Sequence, residues 1–160
     1  MKKKAVKQVD AGIKIIATNR KARHDYEILQ TVEAGLSLLG SEVKSLRAGK
    51  ANLKDAYGIA RGNEIFLFNM HISPYDKTGY SGHEPERPRK LLMHAREIAK
   101  IIGMIETKGM TLVPLRLYFR GKYAKVELGV CRGKRAHDKR AAIIERDTKR
   151  DMEREIKRRQ

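Results

Sequence analysis

TLVPLRLYFRGKYAKVELGVC, residues 111–131, decides the fold. It holds two runs of strand length, Thr111–Arg120 and Tyr123–Cys131, rich in β-branched, aromatic and leucine residues. Only Gly121-Lys122 separates them. Two such runs around a two-residue turn predict an antiparallel hairpin. The same pattern occurs upstream, where Leu53–Arg61 and Glu64–Met70 flank Gly62-Asn63. Working outward, Ile13–Ala17 reads as a short strand or ordered lead-in. Tyr26–Leu39 reads as a strand bent near Gly35, with Ile28, Val32, Leu36 and Leu38 alternating. Gly40-Ser41 offers an N-cap before a helix at Glu42–Ala48, and Gly49 supplies its stop. Arg89–Glu106 spaces Leu92, Ile98, Ile102 and Ile105 as an amphipathic helix does. Pro74–Pro88 has no period and reads as a loop. These elements predict a mainly β fold, a small antiparallel barrel of the oligonucleotide-binding (OB-like) type with inserted helices. The strand order does not follow from the sequence.

The segment Arg132–Gln160 has a different chemistry. It carries twelve Lys/Arg against six Asp/Glu, and its only sizeable apolar residues are Ile143, Ile144, Met152 and Ile156. Such a segment buries too little surface to offset its ordering entropy, so it is expected to be disordered when free. Arg146, Arg150, Arg154 and Arg158 nevertheless recur every four residues and would form one basic ridge on a helix. Glu145/Lys149, Glu153/Lys157 and Glu155/Arg159 are acid–base pairs in the favourable order. The tail reads either as a latent helix that orders on a polyanion or as a solvated basic extension. The expected organisation is a flexible basic arm at 1–12, a barrel at 13–131 and the tail at 132–160.

A formal net charge of +17 points to nucleic acid first and a membrane surface second. No apolar run approaches the ~20 residues that span a bilayer. MKKKAVKQVD has a basic start but no apolar core, so it does not read as a signal peptide. The lone Cys131 excludes an intramolecular disulfide and a thiolate metal cluster, and the cytoplasm is the expected compartment. Enzyme chemistry is not visible. His24, His71, His83, His94 and His137 lack metal-ligand spacing, GVCRGK lacks the P-loop pattern, and Glu84 and Glu86 lie in a proline-rich loop. No cofactor is expected.

Several segments resemble, in order, the small protein B family of bacterial transfer-messenger RNA-binding proteins. They are NRKARHDYEI (19–28), EAGLSLLGSEVKSLRAGKANLKDAY (33–57), ISPY (72–75), RKLLMHAREI (89–98), GMTLVPL (109–115) and GKRAHDKR (133–140). The similarity runs from Ile13 to Asp147. Basic groups at Arg20, Lys21 and Arg23, with the rings of His24 and Tyr26, suit phosphates and unpaired bases, or form an ordinary solvated loop. The resemblance implies RNA recognition by Asn19, Arg23, His24 and Tyr26. Glu33 reads either as half of a salt bridge or as an acceptor for a base edge or 2′-hydroxyl. The resemblance implies an RNA contact. Lys44, Arg47 and Lys50 form a basic helix face. Arg89, Lys90 and His94 stand at the start of the predicted second helix, where free N–H groups favour phosphate. Spacing makes Leu92 a core residue; the resemblance makes it an RNA contact.

The resemblance also implies a function. The chain would be a monomeric adaptor, not an enzyme, that binds the tRNA-like domain of transfer-messenger RNA and delivers it, with elongation factor Tu, to stalled ribosomes. Lys134, Arg135, His137, Asp138, Lys139, Arg140 and the arginine ridge would then meet the decoding centre and the empty messenger channel. Arg135 stands where lysine is common in that motif. A structural ribosomal protein, and a nuclease or RNA-modifying enzyme, are the rival readings.

Overall fold

The computed structural model describes residues 12–75, 82–134 and 136–158, with the backbone alone at 136–139, 141–142 and 156–158. Positions 1–11 of the expected arm, 76–81 of the expected loop, and Arg135 lie outside the described residues. The chain order is β1 (Ile13–Thr18), α1 (Arg20–Asp25), β2 (Tyr26–Leu36), α2 (Gly40–Arg47), β3 (Ala51–Asn52), β4 (Tyr57–Arg61), β5 (Glu64–Phe68), β6 (His71–Ile72), β7 (Arg89–Leu92), α3 (Ala95–Lys108), β8 (Thr111–Arg120), β9 (Tyr123–Gly133) and α4 (Ala136–Arg158). This is a mixed α/β fold rather than a mainly β one, because α1 and α4 add helix where the sequence predicts a loop and a disordered tail.

Both predicted hairpins form. β8 and β9 pair from Arg120↔Tyr123 back to Thr111↔Cys131, and β4 and β5 pair from Arg61↔Glu64 to Tyr57↔Phe68. Gly121 and Gly62 sit in the turns with φ of 59° and 61°, the left-handed region that glycine enters without penalty. The strands form an antiparallel sheet in the order β1-β8-β4-β5-β7-β2-β9, and β9 pairs back onto β8. β3 and β6 make a separate two-stranded sheet. β2 does bend its allegiance at Gly35. Up to there it pairs with β9, and at Gly35 and Leu36 it pairs with β7. β4 reaches β8 through Gly58 opposite Leu112. A Cβ at position 58 would lie 2.6 Å from Leu112 Cδ2, so the approach needs glycine.

The two faces of the sheet do different work. Leu36, Ile65, Leu67, Leu91, Leu112, Leu117, Val126 and Leu128 point into the main core, joined by Leu46 of α2 and Ile101 of α3. Each such side chain contributes about 1.5–3 kcal/mol of transfer free energy. On the outer face at one end, α1 covers a smaller cluster of Ala22, Val113, Leu115 and Cys131, with Tyr26 and Ile28 beside it.

Four expectations need correction. Asn19–Tyr26 is not a loop: the Asn19 side chain accepts from Ala22 N at 3.1 Å and caps α1. The α2 helix begins at Gly40 after Leu39, so Ser41 is not its N-cap; Glu42 closes the first turn by accepting from Leu39 N at 2.8 Å. The upstream hairpin strand is shorter than predicted, since a turn at Asp55 (φ 61°) separates Leu53 from β4. The predicted helix at Arg89–Glu106 splits into β7 and α3. Arg89 and Leu91 are buried and Lys90 and Leu92 exposed, a period of two that four residues of a basic-apolar run do not reveal. The α3 N-cap is His94, whose N–H donates to Glu97 at 3.2 Å.

The tail also departs from the expectation of disorder. Backbone hydrogen bonding is local, and a run of this length exceeds the ~12–15 residues at which isolated helices become marginal. Its described side chains are exposed, including Ile143, Ile144 and Met152. Arg146, Arg150 and Arg154 share the predicted ridge spacing on that helix, and Arg154 pairs with Asp151 at 3.7 Å.

Candidate nucleic-acid interface

Apart from Arg89 and Lys90, the residues singled out in the sequence fall in three places. The first is α1. Asn19 is 8% exposed, and its amide is used inside the chain: besides capping α1 it donates to Leu53 O at 3.3 Å and Pro114 O at 3.1 Å. Asn19 therefore places α1 and turns no free amide hydrogen outward. Arg23 is exposed, and His24 Nδ1 lies 2.8 Å from Asp25 Oδ1, a carboxylate that orients the ring. Tyr26 is half-buried against the outer cluster. The tail starts here too. Lys134 donates its N–H to Asp25 O at 3.1 Å and its Nζ to Arg23 O at 3.3 Å, which satisfies carbonyls at the end of α1. Lys134 is thus tied back to α1 rather than extended with the tail. Arg140 is exposed on α4. His137, Asp138, Lys139 and Arg158 lie on the same helix, with their side chains outside the described set.

The second place is α2. Lys44, Arg47 and Lys50 are exposed, Lys44 Nζ sits 5.4 Å from the Tyr75 ring centroid, and Lys14 Nζ donates to Arg47 O at 3.2 Å. The loop after β6 is tied to this helix by His83. Its Nδ1 lies 3.0 Å from Ser41 Oγ and its Nε2 donates to Ile72 O at 2.9 Å.

The third place gathers Glu33, Leu92 and His94 around one hollow of about 710 Å³, lined also by Thr31, Met93 and Lys125. Leu92 is 51% exposed, so the core reading from spacing fails: its strand neighbour Leu91 takes the core side. Gly35 makes room for it, since a Cβ there would lie 3.2 Å from Leu92 Cβ. Glu33 is held by Tyr118 Oη, by Arg120 Nη1 at 3.2 Å and by Lys125 Nζ at 3.7 Å. Of the two readings of Glu33, the salt bridge is present, in a half-buried setting. Burial, reinforced by the Glu33 carboxylate, pushes the Tyr118 phenol up to about 12, so it remains a donor at neutral pH. A carboxylate held by two hydrogen bonds and a longer ion pair presents a fixed acceptor between two cations, which is more selective than a free charge. Tyr118, Arg120 and Lys125 were not singled out from the sequence. They lie 85 or more residues from Glu33 along the chain, and only the pairing of β2 with β9 and of β9 with β8 assembles them.

Arg89 does not belong to any exposed site. It is fully buried, and its Nε donates to Glu42 Oε1 at 2.8 Å. Its other nitrogens donate to Met70 O and Pro85 O. Arg87 holds the same carboxylate at 2.8 and 2.6 Å. Burial pushes the Glu42 carboxyl up, but the bonds from Arg87 and Leu39 N–H and the charge of Arg89 outweigh it and hold it below its ordinary value. Burial pulls Arg89 down from the ordinary arginine range, against the Glu42 charge that raises it. The predicted role of Arg89 at a helix N-terminus is therefore replaced by a structural one. Lys90 remains exposed and pairs with Glu64. Among the described residues, no cluster of three or more His, Cys, Asp or Glu side chains is placed to hold a metal ion. No helix among them is long and apolar enough to cross a membrane.

Comparison with known proteins gives a consistent answer. The family model described as SmpB protein matches residues 16–158. The SsrA-binding protein of Microcystis aeruginosa is 56% identical over 150 residues, covering 93% of this chain and 97% of that one. That of Carboxydothermus hydrogenoformans is 54% identical over 144 residues, covering 90% and 97%. Among solved structures, a chain described as "tmRNA-SmpB: a journey to the center of the bacterial ribosome" superposes with a TM-score of 0.64 at 50% identity, covering 79% of this chain and 87% of that one. Matched by the family model and by these relatives over nearly its whole length, the chain belongs to the SmpB protein family.

Proposed function

We propose that this chain is an RNA-binding adaptor of ribosome rescue. It binds the tRNA-like domain of transfer-messenger RNA and carries it to ribosomes stalled without a usable messenger, where α4 reads the decoding centre and the vacant messenger channel. The observation that carries this reading is the identity of more than half with SsrA-binding proteins along almost the whole chain. The seven-stranded sheet, whose last strand pairs back onto β8, is read as an OB-like barrel. It is proposed to work as a monomer in the cytoplasm, with elongation factor Tu as a partner in delivery.

The sheet side of the adaptor is assigned to the hollow around Leu92 and Glu33, flanked by Lys125 and His94, with Arg23, His24 and Tyr26 of α1 and the α2 cations Lys44, Arg47 and Lys50 as phosphate and stacking groups. Leu92 offers an apolar surface to a base or ribose, and the Glu33 cluster offers a fixed acceptor. Glu33→Gln tests it. On charge alone the variant frees Arg120 and Lys125 and binds RNA more tightly. With Glu33 as a positioned acceptor, affinity for the tRNA-like domain falls by about 1–3 kcal/mol. Binding isotherms at fixed salt decide. An unchanged or tighter affinity, with the thermal midpoint intact, reduces Glu33 to an internal ion pair.

A further inference from the structure

The chain is poor in aromatics, with three phenylalanines and no tryptophan. Phe119 is in the core. The other two, Phe66 and Phe68, face the opposite way. β5 buries Ile65 and Leu67 and leaves Glu64, Phe66 and Phe68 half-buried on its other side, beside the more exposed Tyr57. Across the hairpin, Tyr57 is opposite Phe68 and Ile59 is opposite Phe66. The Tyr57 and Phe68 rings stack at 5.9 Å between centroids and 14° between planes. The exposed Arg61 guanidinium lies 4.8 Å from the Phe68 centroid. None of Tyr57, Ile59, Phe66 and Phe68 belongs to either apolar cluster.

Cross-strand aromatic pairing alone would stabilise the hairpin. It does not require two of three phenylalanines on an outer face. This face has two further properties. It is net cationic: Arg61 lies over one ring, and Lys90, directly opposite Phe66 in register, pairs with Glu64, the one carboxylate on this side of β5. It is also continuous with the hollow described above, because Lys90 and Leu92 project from the same side of β7. Flat rings, a stacked guanidinium and a lysine are the elements with which proteins hold unpaired bases and their phosphates.

We infer that the outer face of β4 and β5 is a stacking platform for a single-stranded RNA segment, with Tyr57 and Phe66 taking bases and Arg61 and Lys90 taking phosphates. The continuity argument rests on the RNA site proposed above; the stacking geometry does not. A structured RNA held at Leu92 would pass its adjoining unpaired nucleotides over this face. The bases would be held without sequence selection, since every base has a π-face.

The test uses the full chain and a 12-nucleotide oligouridylate carrying one 2-aminopurine, whose fluorescence falls on stacking. Tyr57→Leu with Phe66→Leu keeps apolar area and formal charge while removing the rings. The parent is expected to quench the probe. The double variant is expected to lose the quench and to bind on the order of tenfold more weakly at high salt, with the same salt dependence. Its affinity for the isolated tRNA-like domain, and its thermal midpoint, should stay close to the parent's. Equal quenching and affinity in parent and variant overturn the platform, and point to a face that serves the hairpin or a protein partner. A second variant, Arg61→Gln, keeps the rings and should retain the quench while reducing the salt slope by about one charge; loss of the quench there would also contradict the stacking assignment. A parent that quenches the oligouridylate but fails to bind the tRNA-like domain would refute the proposed function and leave the platform standing.

Discussion

Glu42→Ala is expected to destabilise the fold by about 3–5 kcal/mol, the range for leaving a buried charge without its partner. The carboxylate is fully buried and joins three segments: the start of α2 through Leu39 N–H, the loop before β7 through Arg87, and β7 itself through Arg89. Without it the buried Arg89 guanidinium keeps only carbonyl partners. Glu42→Gln keeps the shape and should fall between the two, since it retains an acceptor but no charge. Chemical denaturation at pH 7 measures both. The dependence on pH has a definite sign. The folded carboxyl is held below the usual 4.5, so the unfolded chain binds more protons in the window between the two values. The stability from Glu42 is whole above the unfolded value. It drains away as pH falls through that value toward the folded one. The gap between parent and Glu42→Gln should therefore be flat from pH 6 to 8 and narrow below about 4.5. A gap that widens on acidification would contradict the ion-pair reading.

Ile144→Pro is expected to abolish tagging of stalled peptides while leaving RNA binding intact. The substitution removes a backbone donor in the interior of α4 and costs on the order of 3 kcal/mol in helix propensity, with no change in charge. Ile144 is 65% exposed, so no core contact is lost with it. A charge-preserving scramble of residues 146–158 complements it, keeping bulk electrostatics but breaking the spacing of Arg146, Arg150 and Arg154. If α4 acts as a flexible polycation, both variants rescue ribosomes as the parent does. If it acts as a helix with one basic ridge, both fail after RNA binding. Circular dichroism of the full chain reports the helix loss directly.

Those two cases mark what a sequence can and cannot show. The hairpins at 57–68 and 111–131 were readable because strand composition and two-residue glycine turns are local signals. The ridge on α4 was readable because helical spacing is local too. Arg89 was misplaced because nothing nearby in sequence says that its guanidinium is buried. Its partner Glu42 is 47 residues away and meets it only once β7 packs against α2. Spacing put Leu92 in the core for the related reason that a four-residue strand has too little length to display its period, whereas its exposure suits the contact that the family resemblance implies. Asn19 was flagged through family resemblance, yet its amide bonds to Leu53 and Pro114 place it as a keystone under α1. The Glu33 cluster needed three strands in register. Local order was thus legible in the sequence, and long-range ion pairs were not.

A division of labour between the sheet and α4 underlies every functional assignment made for this chain. Deleting residues 136–160 tests it most directly, because Lys134 and its bonds to α1 are kept. The truncated protein should hold the tRNA-like domain of transfer-messenger RNA within a few-fold of the parent's affinity, with an unchanged thermal midpoint, and should support no peptide tagging. Loss of RNA affinity by orders of magnitude, or tagging that survives without α4, would contradict that division.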